Sequence, residues 1–529
     1  MSGTGAPRSS TRAPGAMVAS AHHLATQAGL EMYALGGNAV DAAIATNAAI
    51  AVSSPQLCGM GGDLFALVHD GDGVHALNSS GRAGSGASAA ALRDAGFTEM
   101  PFRHDIRTVT VPGCVDGWCA LNSRFGRLPL ATVLAPAIRL AEDGFPASPL
   151  LVGAISQLDD AGREQLAELA SQARRTGDRV RRPGVATALR AVAEQGRDGF
   201  YLGAFGDGLL SLGSGWFDRN DLAVAGATWV DPLSTPAFGR TLHTIPPNSQ
   251  GYLLLGAARL VDSLIDSLPA DPDDPAWAHL LVEAAKAAGR DRPDVLAEDA
   301  DGAALVDAIA SRAGEIDLAR ASHIGRAHHD GDTTYLCTVD RDRMGVSLIQ
   351  SNASGFGSWQ VEPNTQINLH NRGLGFSLEA GHPAELGPGR RPPHTLSPAL
   401  ATRPDGSLAA VFGTMGGDGQ PQILLQIAAR LFHHGQSPGV AVDAGRWVLH
   451  GPVTGFDTWT TAEGPHLLVE GQAPADWVER LRALGHDARP IAPFDGAFGH
   501  AHAIVVDEHT GMLVGASDPR AHVGSVAGV

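Results

Sequence analysis

Cysteine is scarce: Cys58, Cys114, Cys119 and Cys337 are all that the 529 residues contain. Four thiols are too few to staple a chain of this size. Cys114 and Cys119 have no second pair at zinc-site spacing, so neither a disulfide scaffold nor a structural zinc is expected. They read as reduced, buried packing residues. Long apolar runs are missing too. The longest, around Ala39 to Val52, is broken by Asp41, Thr46 and Asn47, which excludes a membrane span. Residues Met1 to Met17 are rich in Gly, Ser, Pro and Arg and lack an apolar core of signal-peptide length. The reading is a cytoplasmic protein with a flexible tail over residues 1–17. Positive charge is in deficit, 38 Lys and Arg against 56 Asp and Glu, a formal charge of −18. That balance argues against nucleic acid or an anionic membrane as partner, while leaving room for a local basic pocket.

Hydrophobic residues make up 44% of the chain, enough for a substantial core. Small and aliphatic residues from Gly37 to Val52 predict a buried helix, with Asn38 as N-cap and Asp41 three places on. The turn Gly59-Met60-Gly61-Gly62-Asp63 follows, then a strand from Leu64 to His69. Residues 128–143 and 274–289 read as amphipathic helices, and 311–332 as an exposed loop. Alternation over Tyr335–Asp340 and Gly345–Gln350, joined at Asp342-Arg343, predicts a hairpin with threonine at its leading edge. A second hairpin pairs Ser397–Thr402 with Leu408–Gly413, a helix runs from Pro421 to Phe432, and a last strand pair, Ala501–Asp507 and Met512–Ala516, closes the chain. Strand-rich blocks flanked by long helices predict an α+β helix–sheet–sheet–helix sandwich.

The segment Gly331-Asp332-Thr333-Thr334 carries the first chemical possibility. A threonine hydroxyl is a poor nucleophile without an adjacent base. A cut just before Thr333 would free an α-amine to be that base, with a reference pKa of roughly 7.7–8.0. The bland reading is an ordinary strand residue. Downstream, Gly413-Thr414-Met415-Gly416-Gly417-Asp418-Gly419 offers tandem glycines whose N–H groups can converge on one point, as an oxyanion hole requires. The competing reading is a phosphate loop or plain helix N-terminus, and no Gly-Lys-Ser/Thr follows to support a nucleotide. His328-His329-Asp330 suggests a metal, but no second His/Cys cluster has ligand-like spacing, so an exposed linker is expected.

Gly36 to Ala43, Gly59 to Asp63, Val111-Pro112-Gly113 with Gly117-Trp118, Ala141 to Phe145, and Pro246 to Gly251 together resemble the γ-glutamyltransferase family of N-terminal nucleophile hydrolases. Glu283-Ala284-Ala285-Lys286 with Asp291-Arg292 resembles that family's last large-subunit helix. Asp332-Thr333-Thr334, Pro392 to Pro398, Gly416-Gly417 and Gly515 to Arg520 resemble its small subunit. The resemblance implies a four-layer αββα sandwich, cleavage between Asp332 and Thr333 into residues 1–332 and 333–529 that stay together as one composite domain, and no metal or organic cofactor. It makes Thr333 both nucleophile and α-amine base. Gly416 and Gly417 become the oxyanion hole, and Ser351 stands where a hydroxyl supports the nucleophile.

The family's glutamate clamp is not matched. Its arginine for the α-carboxylate falls at Ser80, with Arg82 two residues on; its asparagine becomes Ala353; the acid for the α-ammonium falls at Gly375; its paired serines become His394 and Thr395. Arg82, Arg372, His394 and Thr395 are therefore the candidate substrate-binding residues, and the first three would make the pocket more basic. The bland alternative puts Arg372 on the surface. Three functions follow as expectations: γ-glutamyl amide hydrolysis or transfer, with glutathione as the default substrate; an acylase for glutaryl, β-lactam side-chain or small diacid amides; or an unprocessed binding protein. The partners implied are a small amide substrate and the two cleaved subunits.

Overall fold

The structure, a computed structural model, describes residues 10–322, 332–450 and 466–529. Two seven-stranded antiparallel sheets dominate. One runs, strand by strand, Ser525–Gly528, Met17–Ser20, Asp332–Val339, Gly345–Ala353, Asp63–His69, Val74–Ser79, Thr228–Val230. The other runs Thr11–Ala13, Leu513–Ser517, Ala501–Val506, Leu408–Thr414, Ala399–Thr402, Arg240–Thr244, Leu233–Ala237. Both sheets combine strands from before and after Thr333.

Three buried clusters follow from the period of two along these strands. Phe65, Tyr335, Cys337 and Ile349 from the first sheet meet Leu400, Val411, Ile504 and Leu513 from the second in a core between the sheets. The intervening residues Leu64, Ala66, Leu336 and Leu348 face outward, where they are covered by the helices His23–Ala34, Ala39–Ser53, Cys114–Phe125 and Leu130–Asp143. On the outer face of the second sheet, Ala399, Ala401, Ala410 and Phe412 pack under Tyr252–Asp262, Pro275–Gly289 and Gln420–Ala428. Among the described residues no helix is long and apolar enough to cross a membrane.

The helix Ala39–Ser53 starts where its cap predicts. Asn38 accepts from Val40 and Asp41, and Asp41 returns the bond to the Asn38 N–H. Its first turn is tied to the Thr333 hairpin, since the Asp340 carboxylate accepts the Ala39 N–H at 3.1 Å and Thr338 Oγ1 donates to the Ala39 carbonyl at 2.7 Å. Four expectations need correction. Thr11–Ala13, inside the expected tail, is a strand on Leu513–Ser517. The chain does not close on the 501–517 pair, because Ser525–Gly528 adds another strand beside Met17–Ser20. The helix Pro275–Gly289 is not amphipathic in place: it is buried from Trp277 to Gly289, its charged residues included. The helix expected over Pro421–Phe432 is α-helical from Gln420 to Ala428 and widens into a π-turn from Ala429 to His433. The cysteines are free; Cys58, Cys114 and Cys337 are buried and Cys119 partly so, with thiols raised by burial. His328, His329 and Asp330 lie outside the described residues.

Candidate active site

Thr333 lies at a bulge. Asp332 pairs with Ala353 and Thr334 with Gln350, so the single residue Thr333 faces both Ser351 and Asn352. Bulges re-aim a side chain out of the regular alternation. Here the Thr333 hydroxyl, 1% exposed as a residue, donates to Ser351 Oγ at 3.0 Å. Ser351 Oγ also accepts the Ala353 N–H at 2.8 Å. Ala353 itself has φ +75°, so the end of this strand departs from extended backbone close to the bulge.

The glycine loop leaves the facing strand Leu408–Thr414. Gly413 lies flat on Tyr335, where any Cβ would stand 2.1 Å from the ring. That contact holds the two sheets together near the start of the Thr333 strand. Gly416 and Gly417 have φ of +130° and +50°, conformations that disfavour any side chain. Such successive turns let backbone N–H groups gather around an anion. Gln250 braces the loop from behind: its Nε2 donates at 3.0 Å to the Gly417 carbonyl and at 3.0 Å to the Thr395 carbonyl.

Thr395 belongs to the wall of a cavity of about 400 Å³, along with Gly375 and Arg292. Glu99, Asp294 and Glu379 stand exposed at its rim. Thr333 is not among the lining residues; Gln250 ties Thr395 of the cavity wall to the glycine loop. Behind Thr395, Arg372 is buried in a short 3₁₀ turn, Arg372–Gly375, and its Nη1 donates to Thr395 Oγ1 at 3.1 Å. Burial lowers its pKa to about 10, offset in part by Asp63 and Asp418, so it keeps its charge at neutral pH. Arg292 pairs with Asp418, next to Gly417 in sequence, at 3.0 Å.

Asp63 is the buried hub beneath this wall. Its Oδ1 accepts N–H groups from Gly81 (2.9 Å) and Gly113 (3.2 Å), and its Oδ2 faces His394 Nε2 at 3.2 Å and His370 Nδ1 at 3.8 Å. Burial would raise the carboxyl, but His370 and His394 overcome it and hold Asp63 at about 2. The tautomer of His394 follows from its neighbours. Leu396 N–H donates to Nδ1, so Nε2 carries the proton given to Asp63. Burial, and then Arg372, push its pKa down to about 3.

Of the expected residues, Thr333 and Ser351 come into direct contact, and Gly416-Gly417, Thr395 and Arg372 gather around Gln250 and the cavity wall. Two expectations fail on physical grounds. Arg82 is engaged elsewhere: its side chain is 39% exposed, and its guanidinium pairs with Glu298 at 2.8 Å and donates to the Gly389 carbonyl at 2.8 Å. His394 is a neutral hydrogen-bond donor to Asp63 and adds no positive charge. Arg372 is buried, against the surface alternative. Gln250, Arg292, Asp418 and Asp63 lie within the motifs of the sequence, yet sequence reasoning assigns them no role of their own. Their motifs signal them, but their partners lie far away in the chain.

The chain, whose hairpin has a buried threonine hydroxyl donating to a serine, belongs to the gamma-glutamyltranspeptidase family, whose model covers residues 25–528, and its relatives include hydrolase proenzymes. It is 37% identical to an oxamate amidohydrolase proenzyme of Klebsiella pneumoniae, over 97% of this chain and 98% of that one. It is 33% identical to a glutathione hydrolase-like proenzyme of Bacillus subtilis, over 95% and 97%. Among solved structures it is similar to a cephalosporin acylase from Bacillus halodurans, with a TM-score of 0.89 and 35% identity over 99% of this chain and 98% of that one.

Proposed function

We propose that the chain is a self-cleaving precursor whose mature form hydrolyses amides of acyl groups that carry a carboxylate and no neighbouring ammonium: short diacid monoamides and glutaryl-type side chains. The observation that carries this reading is the cavity wall. Thr395 offers a hydroxyl backed by the buried Arg372 guanidinium, which donates to it, with Arg292, itself paired with Asp418, in the same wall. The position of the family's ammonium-binding acid is Gly375. A charge-assisted bond of this kind contributes about 1.5–3 kcal/mol, and the same amount is lost for an ammonium with no acid to meet it.

The sequence of events is an acyl transfer. Thr333 cuts its own Asp332–Thr333 bond, giving fragments 1–332 and 333–529 that remain one αββα sandwich, an architecture supported by the three stacked cores. The freed α-amine takes the hydroxyl proton as Oγ attacks the substrate carbonyl, with Ser351 orienting Oγ. N–H groups of Gly416 and Gly417 stabilise the oxyanion and the leaving amine departs with the proton; water then releases the acid, or an acceptor amine takes the acyl group as a new amide.

Relatives support different substrates: one is named for oxamate, another for glutathione-like hydrolysis, a third for cephalosporins. The γ-glutamyl reading has one feature in its favour, the rim acids Glu99, Asp294 and Glu379, which could meet an ammonium at the cavity mouth. Glutaryl-p-nitroanilide and γ-glutamyl-p-nitroanilide separate the two, since they differ only in the α-amino group. We expect kcat/KM to favour glutaryl at least tenfold, about 1.4 kcal/mol. Preference for γ-glutamyl would overturn the reading. A series from oxamate through succinamate to glutaramate, followed by ammonia release, then sets the chain length.

A further inference from the structure

The helix Pro275–Gly289 carries His279, Glu283 and Lys286 into the interior, where with His486 they form a network that substrate chemistry does not use. Its protons can be assigned. His279 Nε2 lies 2.8 Å from the Asp317 carbonyl, which only accepts, so Nε2 is protonated and Nδ1 is the acceptor. His486 Nε2, 2.7 Å from that Nδ1, therefore donates, leaving its own Nδ1 to accept from Lys286 Nζ at 3.4 Å. Lys286 gives its other two protons to Glu283 Oε1 at 2.8 Å and to the Ser322 carbonyl at 2.9 Å. Glu283 Oε2 takes the Ser322 N–H at 3.0 Å. Burial, with Lys286 and His279 beside it, holds His486 at about 3, in the neutral form this chain of bonds requires. His279, Glu283 and His486 offer atoms within 4.8 Å of one another, a spacing that would suit a metal ion. Here the Lys286 ammonium, bonded to two of the three, supplies the positive charge instead.

Both backbone groups of Ser322 end on this network, and the Ala321 N–H donates to the Leu484 carbonyl at 2.7 Å. In sequence, residues 323–331 join Ser322 to Asp332. We propose that the Glu283–Lys286–His486–His279 network is the upstream anchor of self-cleavage: it fixes Ser322 so that the Asp332–Thr333 peptide is presented to the Thr333 hydroxyl, and it takes no part in substrate turnover. The proposal rests on the self-cleavage reading above. In that step Thr333 Oγ attacks the Asp332 carbonyl carbon, the C–N bond breaks, and the departing nitrogen takes the hydroxyl proton. The resulting ester is hydrolysed by water to the Asp332 carboxylate and a free Thr333 hydroxyl. Intramolecular attack gains its rate from a fixed near-attack geometry. The downstream side of the bond is fixed by the hairpin; a chain loose on its upstream side would spread over many conformers. Once the bond is cut, Ser322 has no covalent path to Thr333, so mature turnover no longer depends on the anchor.

Two variants test this. Ser322→Pro removes the N–H given to Glu283 at an exposed position. The double variant Glu283→Gln with Lys286→Met removes both charges together, leaving neither buried alone. Intact mass follows cleavage of freshly folded precursor, thermal melting reports the fold, and kcat/KM is measured once cleavage is complete. We expect cleavage at least tenfold slower in both, with mature kcat/KM within about twofold of the parent. Cleavage at the parent rate in folded variants would overturn the anchor, as would a fall in mature kcat/KM in step with the cleavage rate. Thr333→Ala, run alongside, separates this from the reading beneath it. Cutting in that variant would overturn self-cleavage and the anchor together; with the Thr333→Ala chain intact, the rates of the other two variants decide for or against the anchor.

Discussion

The Thr333 hydroxyl has Ser351 as its hydrogen-bond acceptor, and on the proposed mechanism that bond orients the attacking oxygen. Ser351→Ala should therefore lower kcat by about tenfold, the equivalent of one neutral hydrogen bond, with KM little changed. Steady-state kinetics on the mature enzyme check it; a rise in KM at constant kcat would instead place Ser351 in the substrate pocket. Thr333 stood out in the sequence at the leading edge of a hairpin and Ser351 through the family resemblance; alternation alone would not pair them, since they meet at a bulge. The charge state of His394 was not legible: it depends on Asp63, 331 positions away, and on being buried. The direction of Arg82 was hidden for the same reason, since its partner Glu298 comes from another part of the chain. Alignment in register says where a residue stands along the chain and nothing of what its side chain meets.

At the scale of elements, the contact between Gly413 and the Tyr335 ring couples the glycine loop's strand to the Thr333 strand. Adding one methyl by Gly413→Ala forces the ring or the strand to shift, and we expect a loss of about 1–3 kcal/mol, read by denaturant unfolding. Cleavage should slow as well, because the loop and Thr333 would no longer keep their spacing. An unchanged midpoint would mean that Tyr335 moves aside freely. The helix Ala39–Ser53 and the Thr333 hairpin could be read from caps and alternation. The strands Thr11–Ala13 and Ser525–Gly528 could not, since Thr-Arg-Ala and Ser-Val-Ala-Gly have no pattern of their own and become strands through their neighbours. Pro275–Gly289 misled in the opposite sense. Its charges mark a polar face, yet that face is internal and satisfied within the protein.

For the whole molecule, pH is the natural probe. His22, His394, His486 and His502 are held at about 3, and His243 and His500 at about 4, in each case first by burial. The unfolded chain titrates them near the reference value of about 6.5. Below that pH the unfolded state binds the extra protons, so the stability these neutral rings contribute is present above about 6.5 and is lost as pH falls toward their folded values. Each such histidine changes stability by about 1.4 kcal/mol per pH unit inside the window. Asp41, Asp116, Asp340 and Glu362, raised by burial, act in the opposite sense only where carboxylates titrate. Melting temperature should thus hold steady from pH 7.5 to 6.5 and drop between 6.5 and 5; a flat profile down to pH 5 would mean that these rings are not held neutral. The far ends of the described chain are clasped: the Gly15 and Ala16 N–H groups both reach the Val529 carbonyl at 2.9 Å, and the Val529 N–H reaches back to Ala16 at 2.9 Å. The backbone is in effect a ring with one gap, and a break before Thr333 opens it at a second place. A permuted polypeptide read from Thr333 through Val529, across a short joint, and on to Asp332 would keep the clasp, and removal of its initiator methionine would free the threonine amine with no cut at Asp332.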